Sequence, residues 1–329
     1  MYDTDSPEQA ALRETVRDFC RQHTEATAWK RLTGELGLTA LGVDERFGGM
    51  GGTLAEVAIA AEEVGRVLLP VPYLSTALAG TVLSGGDREV AERFLPGIVS
   101  GTLTAAFSFE EGITAQAGRL SGTARHVLDG AEAGLFLVSV AGTRYAVRAE
   151  DAIVEPVATL DQTRSQASVT FRESPALVVG PDVGQAVNLM RILIAAESTA
   201  AAEHCLHTTV AYLNTRRQFG RAIGSFQALK HRCADLAVAI ASARATVLAA
   251  VSAATADTMD TGVLAPLAKL HCTNVFWQAA AEMVQLHGGI GFTWEHEAHR
   301  YLKRAKTSQL LLGSPSALRC LIGDLAGLR

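Results

Sequence analysis

Three runs in the last third of the chain, Gln185–Arg216, Phe226–Ala256 and Leu264–His287, are rich in Ala, Leu and Val and share a single proline, Pro266. Runs this long without breakers read as helices, and helices of such length bury their apolar faces against one another as an antiparallel bundle. Pro266 is placed in a first turn, where a missing N–H costs nothing. Two shorter helices follow. The most apolar stretch, Leu236–Ala256, is alanine-rich and carries Arg244. Alanine buries too little surface to hold a helix in lipid, so the expectation is a buried helix with no membrane partner.

The first hundred residues also read as helical. Ser6-Pro7-Glu8-Gln9 is a start signal: Ser6 can cap, Pro7 suits the first helical position and Gln9 can close a capping box. Leu12, Val16 and Phe19 then fall on one face. A second helix is expected from Leu54 to Val64, with Gly65 as its stop. Between them lies Gly48-Gly49-Met50-Gly51-Gly52. No strand precedes this run and the GxGxxG spacing is absent, so it reads as a turn and not a phosphate loop.

From Leu103 the texture changes to short alternating or β-branched runs, Leu103–Phe109, Leu135–Val140, Arg144–Val147 and Ala167–Phe171, punctuated by Gly, Asp and Pro. These predict a small antiparallel β domain with few strands beyond a minimal core. The order gives three domains: an N-terminal α-helical domain over 1–102, a middle β domain over 103–178 and a C-terminal four-helix-bundle domain over 179–329.

Composition removes several classes of function. A net charge of −5 and a pI near 6.0 give no basic footprint for nucleic acid. The acidic, polar start Met1–Glu8 does not read as a secretory or transit peptide. Cys20, Cys205, Cys233, Cys272 and Cys320 are far apart, with no Cys-x-x-Cys pair, which fits buried thiols in a reducing cytoplasm and neither a disulfide framework nor a zinc site. His204 and His207 have metal-like spacing without a third ligand nearby, so no metal is expected. Glu295, His296, Glu297 and His299 form a polar cluster in which the two imidazoles are spaced to share a face; it reads as the acidic start of a helix, with Glu295 as an alternative base.

Three ordered segments carry chemistry. They are Arg216-Arg217-Gln218-Phe219-Gly220 with Ile223 and Phe226-Gln227, then Gln285-Leu286-His287-Gly288-Gly289-Ile290-Gly291-Phe292, then Lys303-Arg304-Ala305-Lys306 leading to Leu312-Gly313-Ser314. A pyrophosphate needs a fixed positive fork, which Arg supplies. It also needs backbone free of Cβ atoms, which Gly288-Gly289 allows, and Gln227 and Gln285 offer amides that both donate and accept. Taken singly, Arg216 could be a solvated helix-end cation and Gly288-Gly289 a helix stop.

Together these segments resemble the R-x-x-F-G…F-Q, Q-x-x-G-G-x-G and R-D-A-K…E-G-T signatures of acyl-CoA dehydrogenases, and Val43–Gly51 resembles that family's V-P-E-E-Y-G-G-x-G segment. The likeness covers the whole chain. It implies an acyl-CoA dehydrogenase-like fold and FAD as cofactor, with Arg216, Gln218, Phe219, Gln227, Gln285, Gly288 and Gly289 forming a half-site for a flavin bound mainly by a neighbouring subunit. It further implies an acyl-CoA substrate and an electron-transfer flavoprotein as acceptor.

The pattern breaks where the chemistry should be. The family abstracts a weakly acidic α-proton with a glutamate. The gapless alignment from Lys303 to Gly313 puts Leu312 at that position, and Met190 stands where other members carry the base, so no catalytic residue is assigned. In the β region, Phe109 replaces the family's flavin-contacting Thr, while His126 and Leu128 replace a Trp and a Thr. The short β region and Trp294-Glu295-His296 resemble the compact subunits of two-component enzymes of actinobacterial steroid side-chain degradation, where an active and a degenerate chain form an α2β2 heterotetramer. The resemblance therefore implies a non-catalytic chain that completes the flavin site of a glutamate-bearing partner. Two alternatives stay open: an active homomer with a relocated base at Glu110 or Glu111, and a non-enzymatic acyl-CoA-binding scaffold.

Overall fold

The computed structural model describes residues 5–109, 112–181 and 184–328. The chain divides into two compact units, Met1–Ala60 with Leu69–Met190, and Ala61–Leu68 with Arg191–Arg329.

The first unit opens with α1 (Pro7–Gln22), whose capping box forms as the sequence predicts. Ser6 Oγ accepts from Gln9 N at 3.2 Å, and Gln9 Oε1 accepts from Ser6 N at 3.1 Å. Val16, Phe19 and Cys20 make its buried face. After α2 (Ala28–Gly34) comes the glycine run, a turn folded on itself: a Cβ on Gly49 would lie 2.0 Å from the Val43 carbonyl oxygen. The helices α3 (Leu54–Arg66), α4 (Tyr73–Ser84) and α5 (Arg88–Val99) follow.

The β region is richer than its sequence texture suggests. One sheet takes β1 (Ala105–Ser108), β4 (Leu135–Val140), β5 (Thr143–Arg148) and β8 (Leu177–Pro181), in that order, with β1 and β4 parallel. The other takes β2 (Thr114–Gln116), β3 (Arg119–Leu128), β7 (Gln166–Pro175) and β6 (Ala152–Pro156), all antiparallel. The expected small antiparallel domain is thus two four-stranded sheets, antiparallel but for the pairing of β1 with β4. They share one core, in which Phe136 of β4 meets Phe171 of β7 edge-on at 6.2 Å among Leu120, Val127, Val138 and Val169.

The second unit holds α6 (Gln185–Thr215) from Arg191 onward, a hairpin of β9 (Arg217–Gln218) and β10 (Arg221–Ala222), α7 (Gln227–Thr255), α8 (Thr261–Leu286), α9 (Ala298–Leu310) and α10 (Pro315–Leu325). The helix α8 starts before the expected Leu264, so Pro266 lies inside it, beyond the first turn. The helix α7 is buried on one face only. Leu236, Ile240, Ala243, Val247 and Ala250 are buried, whereas Val238 is 72% exposed and Ala234, Ala241 and Ala245 are also exposed. By length and composition alone α7 could cross a membrane.

The last turns of α3 belong to this second unit. Gly65 does not stop the helix, which continues to Arg66; the residue is glycine because a Cβ would come 2.2 Å from Glu197 Cγ. Glu62 binds Arg244 at 3.1 Å, Glu63 binds Arg66 at 2.9 Å, and Glu203 binds both arginines, at 2.6 and 2.9 Å. Burial alone would raise the Glu203 carboxyl, but Arg244 and Arg66 hold it below the usual range. Arg304 and Glu197 pair at 3.1 Å with almost no exposure.

Candidate functional site

The site begins at the end of α6. Tyr212 O accepts from Arg216 N at 2.8 Å, and Arg216 O accepts from Ile223 N at 2.9 Å, closing the hairpin segment on itself. Gln218 pairs with Arg221 across the hairpin. Its turn residues Phe219 and Gly220 have φ of +53° and +75°, two consecutive left-handed residues of the kind a tight hairpin needs. For phenylalanine that conformation costs on the order of 1–2 kcal/mol. Its ring gains little burial in return, being 89% exposed and touching Phe226 edge-on at 6.0 Å. Arg221 lies over the Phe226 ring at 4.0 Å. Among the described residues, none of Arg216, Arg217 and Arg221 has a carboxylate partner. Gln227, the first residue of α7, is exposed.

The second segment ends α8. Gln285 is exposed, Leu286 and His287 are buried, and the chain turns at Gly288 with φ +63°. A Cβ built on Gly288 or Gly289 would meet nothing within 4 Å, so their backbone faces open space. Gly291 differs: a Cβ there would sit 2.5 Å from the Val284 carbonyl oxygen. Phe292 and Trp294 beyond are 86% and 75% exposed.

Ring contacts join the two segments. Tyr212 stacks on His287 at 4.4 Å, and His287 meets His296 at 4.3 Å. Arg216, Gln218, Phe219, Gln227, Gln285, Gly288 and Gly289 are therefore all exposed, on segments tied together through Tyr212 and His287. An FAD pyrophosphate fits this donor set: guanidinium groups without carboxylates, bare glycine backbone and two free amides. Sequence reasoning missed Tyr212 and His287, because a ring pair from two helices leaves no mark in either motif.

The position of the family's base has a different character. Leu312 takes φ +52°, and its carbonyl oxygen accepts from Arg191 Nε and Nη2. Lys269 Nζ donates to the carbonyls of Gln309 and Gly313 at 2.8 and 2.6 Å. Burial lowers the Lys269 pKa to about 7, and the charge of Arg191 pushes the same way. Met190, at the alternative position, is buried and apolar. Glu110 and Glu111 lie outside the described residues. At the end of β1 the Phe109 ring stacks on Phe107 at 5.5 Å, and His126 Nδ1 is 3.2 Å from Gln166 Oε1. These positions offer neither the hydroxyl nor the indole that family members turn to a flavin.

The remaining candidates separate. His204 Nε2 is 2.8 Å from Glu297 Oε1, a contact that holds the Glu297 carboxyl below its ordinary range, while His207 is exposed. His296 and His299 contact different rings: His296 meets His287 at 4.3 Å, and His299 meets Trp294 edge-on at 4.6 Å. Among the described residues no three His, Cys, Asp or Glu side chains gather to hold a metal.

Comparison with known proteins agrees along the chain. Residues 6–102 match the profile of the acyl-CoA dehydrogenase N-terminal domain and residues 182–325 that of the C-terminal domain. The chain is 37% identical over 332 residues to acyl-CoA dehydrogenase IpdE2 of Mycobacterium tuberculosis, covering 95% of each. It is 31% identical to acyl-CoA dehydrogenase FadE34 of the same organism, covering 93% of this chain and 46% of that protein. Among solved structures, a variant of the Tcur3481–Tcur3483 steroid ACAD superposes with a TM-score of 0.91 at 28% identity, covering 98% of both chains. The fold of a chain in the ChsE4–ChsE5 complex from Mycobacterium tuberculosis matches with a TM-score of 0.91 at 24% identity over the full length of both.

Proposed function

The chain belongs to the acyl-CoA dehydrogenase family, and we propose that within it this polypeptide is the non-catalytic chain of an FAD-dependent heteromer. Its Arg216 hairpin and Gln285–Gly289 segment would close on the pyrophosphate of a flavin held mainly by a partner chain, and that partner would supply the glutamate. One contrast carries the reading. Leu312 and Met190 occupy both positions where the family keeps its base, while every residue of the half-site is present and exposed.

The bound flavin would accept the hydride leaving the β-carbon of an acyl-CoA. This chain's part is binding. Arg216 neutralises phosphate charge that would otherwise stay in water, and the Gly288–Gly289 backbone offers N–H donors at close approach. Gln227 and Gln285 supply neutral donors and acceptors, and the exposed Phe219 ring covers apolar surface of the neighbour. The bare alanine and valine face of α7 suits close packing against a partner helix.

A bulky, steroid-like acyl-CoA is the substrate class, supported by the steroid ACAD among the structural relatives. An α2β2 assembly in the cytoplasm, with electron-transfer flavoprotein as acceptor, completes the proposal.

Purification decides the matter. The chain alone should carry little flavin and no acyl-CoA dehydrogenase activity, and co-expression with a glutamate-bearing sister chain should give a flavin-loaded, active complex. R216A should lower flavin retention in that complex. A flavin-loaded, active homo-oligomer of this chain would overturn the proposal.

A further inference from the structure

Resting on the half-site reading, one more residue acquires a role. The hairpin at Arg216 and the turn at Gly288 end different helices, and neither segment by itself fixes its distance from the other. A ring stack behind the exposed residues does so. Tyr212 lies one turn before Arg216 and holds its N–H at 2.8 Å through the backbone carbonyl. His287 immediately precedes Gly288 and is 3% exposed. Their rings stack at 4.4 Å with planes 29° apart. His296 packs on His287 at 4.3 Å and accepts from Ala298 N through Nδ1 at 3.1 Å, which fastens the start of α9. Three helix ends thus meet at one imidazole.

The partners fix the hydrogens. Met283 O, 2.7 Å from His287 Nδ1, can only accept, so Nδ1 carries the hydrogen and Nε2 is bare in the neutral ring. Burial lowers the pKa of His287. The Met283 carbonyl opposes that, His296 lowers it further and Glu297 raises it. A second proton would therefore place charge in a buried stack beside another imidazole.

We propose that His287 is a positioning residue of the flavin half-site: stacked on Tyr212 and His296 as a neutral ring, it sets Gly288–Gly289 against the Arg216 hairpin. Acidification then loosens the hold on the pyrophosphate.

The test follows FAD release, by flavin fluorescence, from the complex of this chain with its co-expressed catalytic partner, at about pH 7.5 and about pH 5.5, either side of the imidazole range. H287A and Y212A should release FAD about tenfold faster at the higher pH, equivalent to about 1.4 kcal/mol. Y212F, which keeps the ring, should restore slow release. H287F, whatever its rate at the higher pH, should lose the acid acceleration that wild type shows. If H287A does not fold, Y212A and H287F decide. Wild-type release by H287A and Y212A alongside fast release by R216A would overturn this inference and leave the half-site reading standing. Wild-type release by R216A would instead sink the half-site reading. Full acid acceleration in H287F would overturn the pH dependence assigned to this imidazole.

Discussion

Arg191 donates through both Nε and Nη2 to one atom, the carbonyl oxygen of Leu312, each at 3.3 Å. What is gripped is backbone, which is indifferent to the side chain that Leu312 carries. Lys269 adds two more donations to the same turn, at Gln309 and Gly313. The shape of the turn is thus set through its backbone, whatever side chain stands at position 312.

That geometry makes L312E informative. Introducing a carboxylate should give no dehydrogenase turnover in the chain alone and no gain in the complex, because in the proposed assembly the flavin ring is held by the partner chain. Steady-state assays with an artificial electron acceptor check this. Turnover by an L312E homomer would mean that this chain holds a complete active site.

Lys269 predicts a pH dependence of stability. Its folded pKa is about 7 and its unfolded value is about 10.4. Between these values the unfolded chain binds the extra proton, so stability from this group rises with pH across the window and falls away as pH drops through 7. The size is on the order of 1 kcal/mol per pH unit within the window. Urea unfolding at several pH values should show a rise in the wild type that K269M lacks.

At Gly65 the ordinary rule reverses. In a free helix Gly→Ala gains about 1 kcal/mol. Here the added Cβ would lie 2.2 Å from Glu197 Cγ and 3.0 Å from its Cα, so backbone must move. G65A should destabilise by about 1–3 kcal/mol, read as a lower midpoint of thermal or urea unfolding. A stabilised G65A would mean that the helix does not approach Glu197 so closely.

Phe219 should show stability and binding pulling apart. F219N suits the left-handed turn better and should stabilise the isolated chain by up to about 1 kcal/mol. In the complex it should lower flavin retention severalfold, because in the proposed assembly this exposed, conformationally costly ring packs on the neighbouring chain. Equal retention by F219N and wild type would remove Phe219 from the half-site.

What could be read from sequence followed the range of the interactions. The capping box at Ser6 and Gln9 is local and was fully legible. The ends of α6, α7 and α8 were legible to within a few residues because long periodic runs average out local noise. In β3 the alternation is broken by irregularities between Leu120 and Gly122 and between Ala124 and Val127, with Gly122 at φ +136° and His126 at +54°. A period of two cannot survive such shifts, so alternation does not mark the strand, and only its end at His126–Leu128 was read, through the family resemblance. The parallel pairing of β1 with β4 has no local signature. Gly65 failed for the same reason: composition cannot tell a glycine that ends a helix from one that makes room for Glu197. The residues proposed for the half-site stand out through their motifs, whereas Arg191, Lys269, Tyr212 and His287 gain meaning only from tertiary neighbours.

The helix α3 supplies its opening turns to one unit and its closing turns to the other. During synthesis Glu62, Glu63 and Arg66 therefore leave the ribosome long before Glu203 and Arg244 exist to meet them. A fragment beginning at Gln185 would be born with Arg244 short of one carboxylate and a groove where Gly65 should lie. Splitting the gene at the sheet-to-bundle junction should yield two pieces that need each other, with residues 61–68 acting as the key between them.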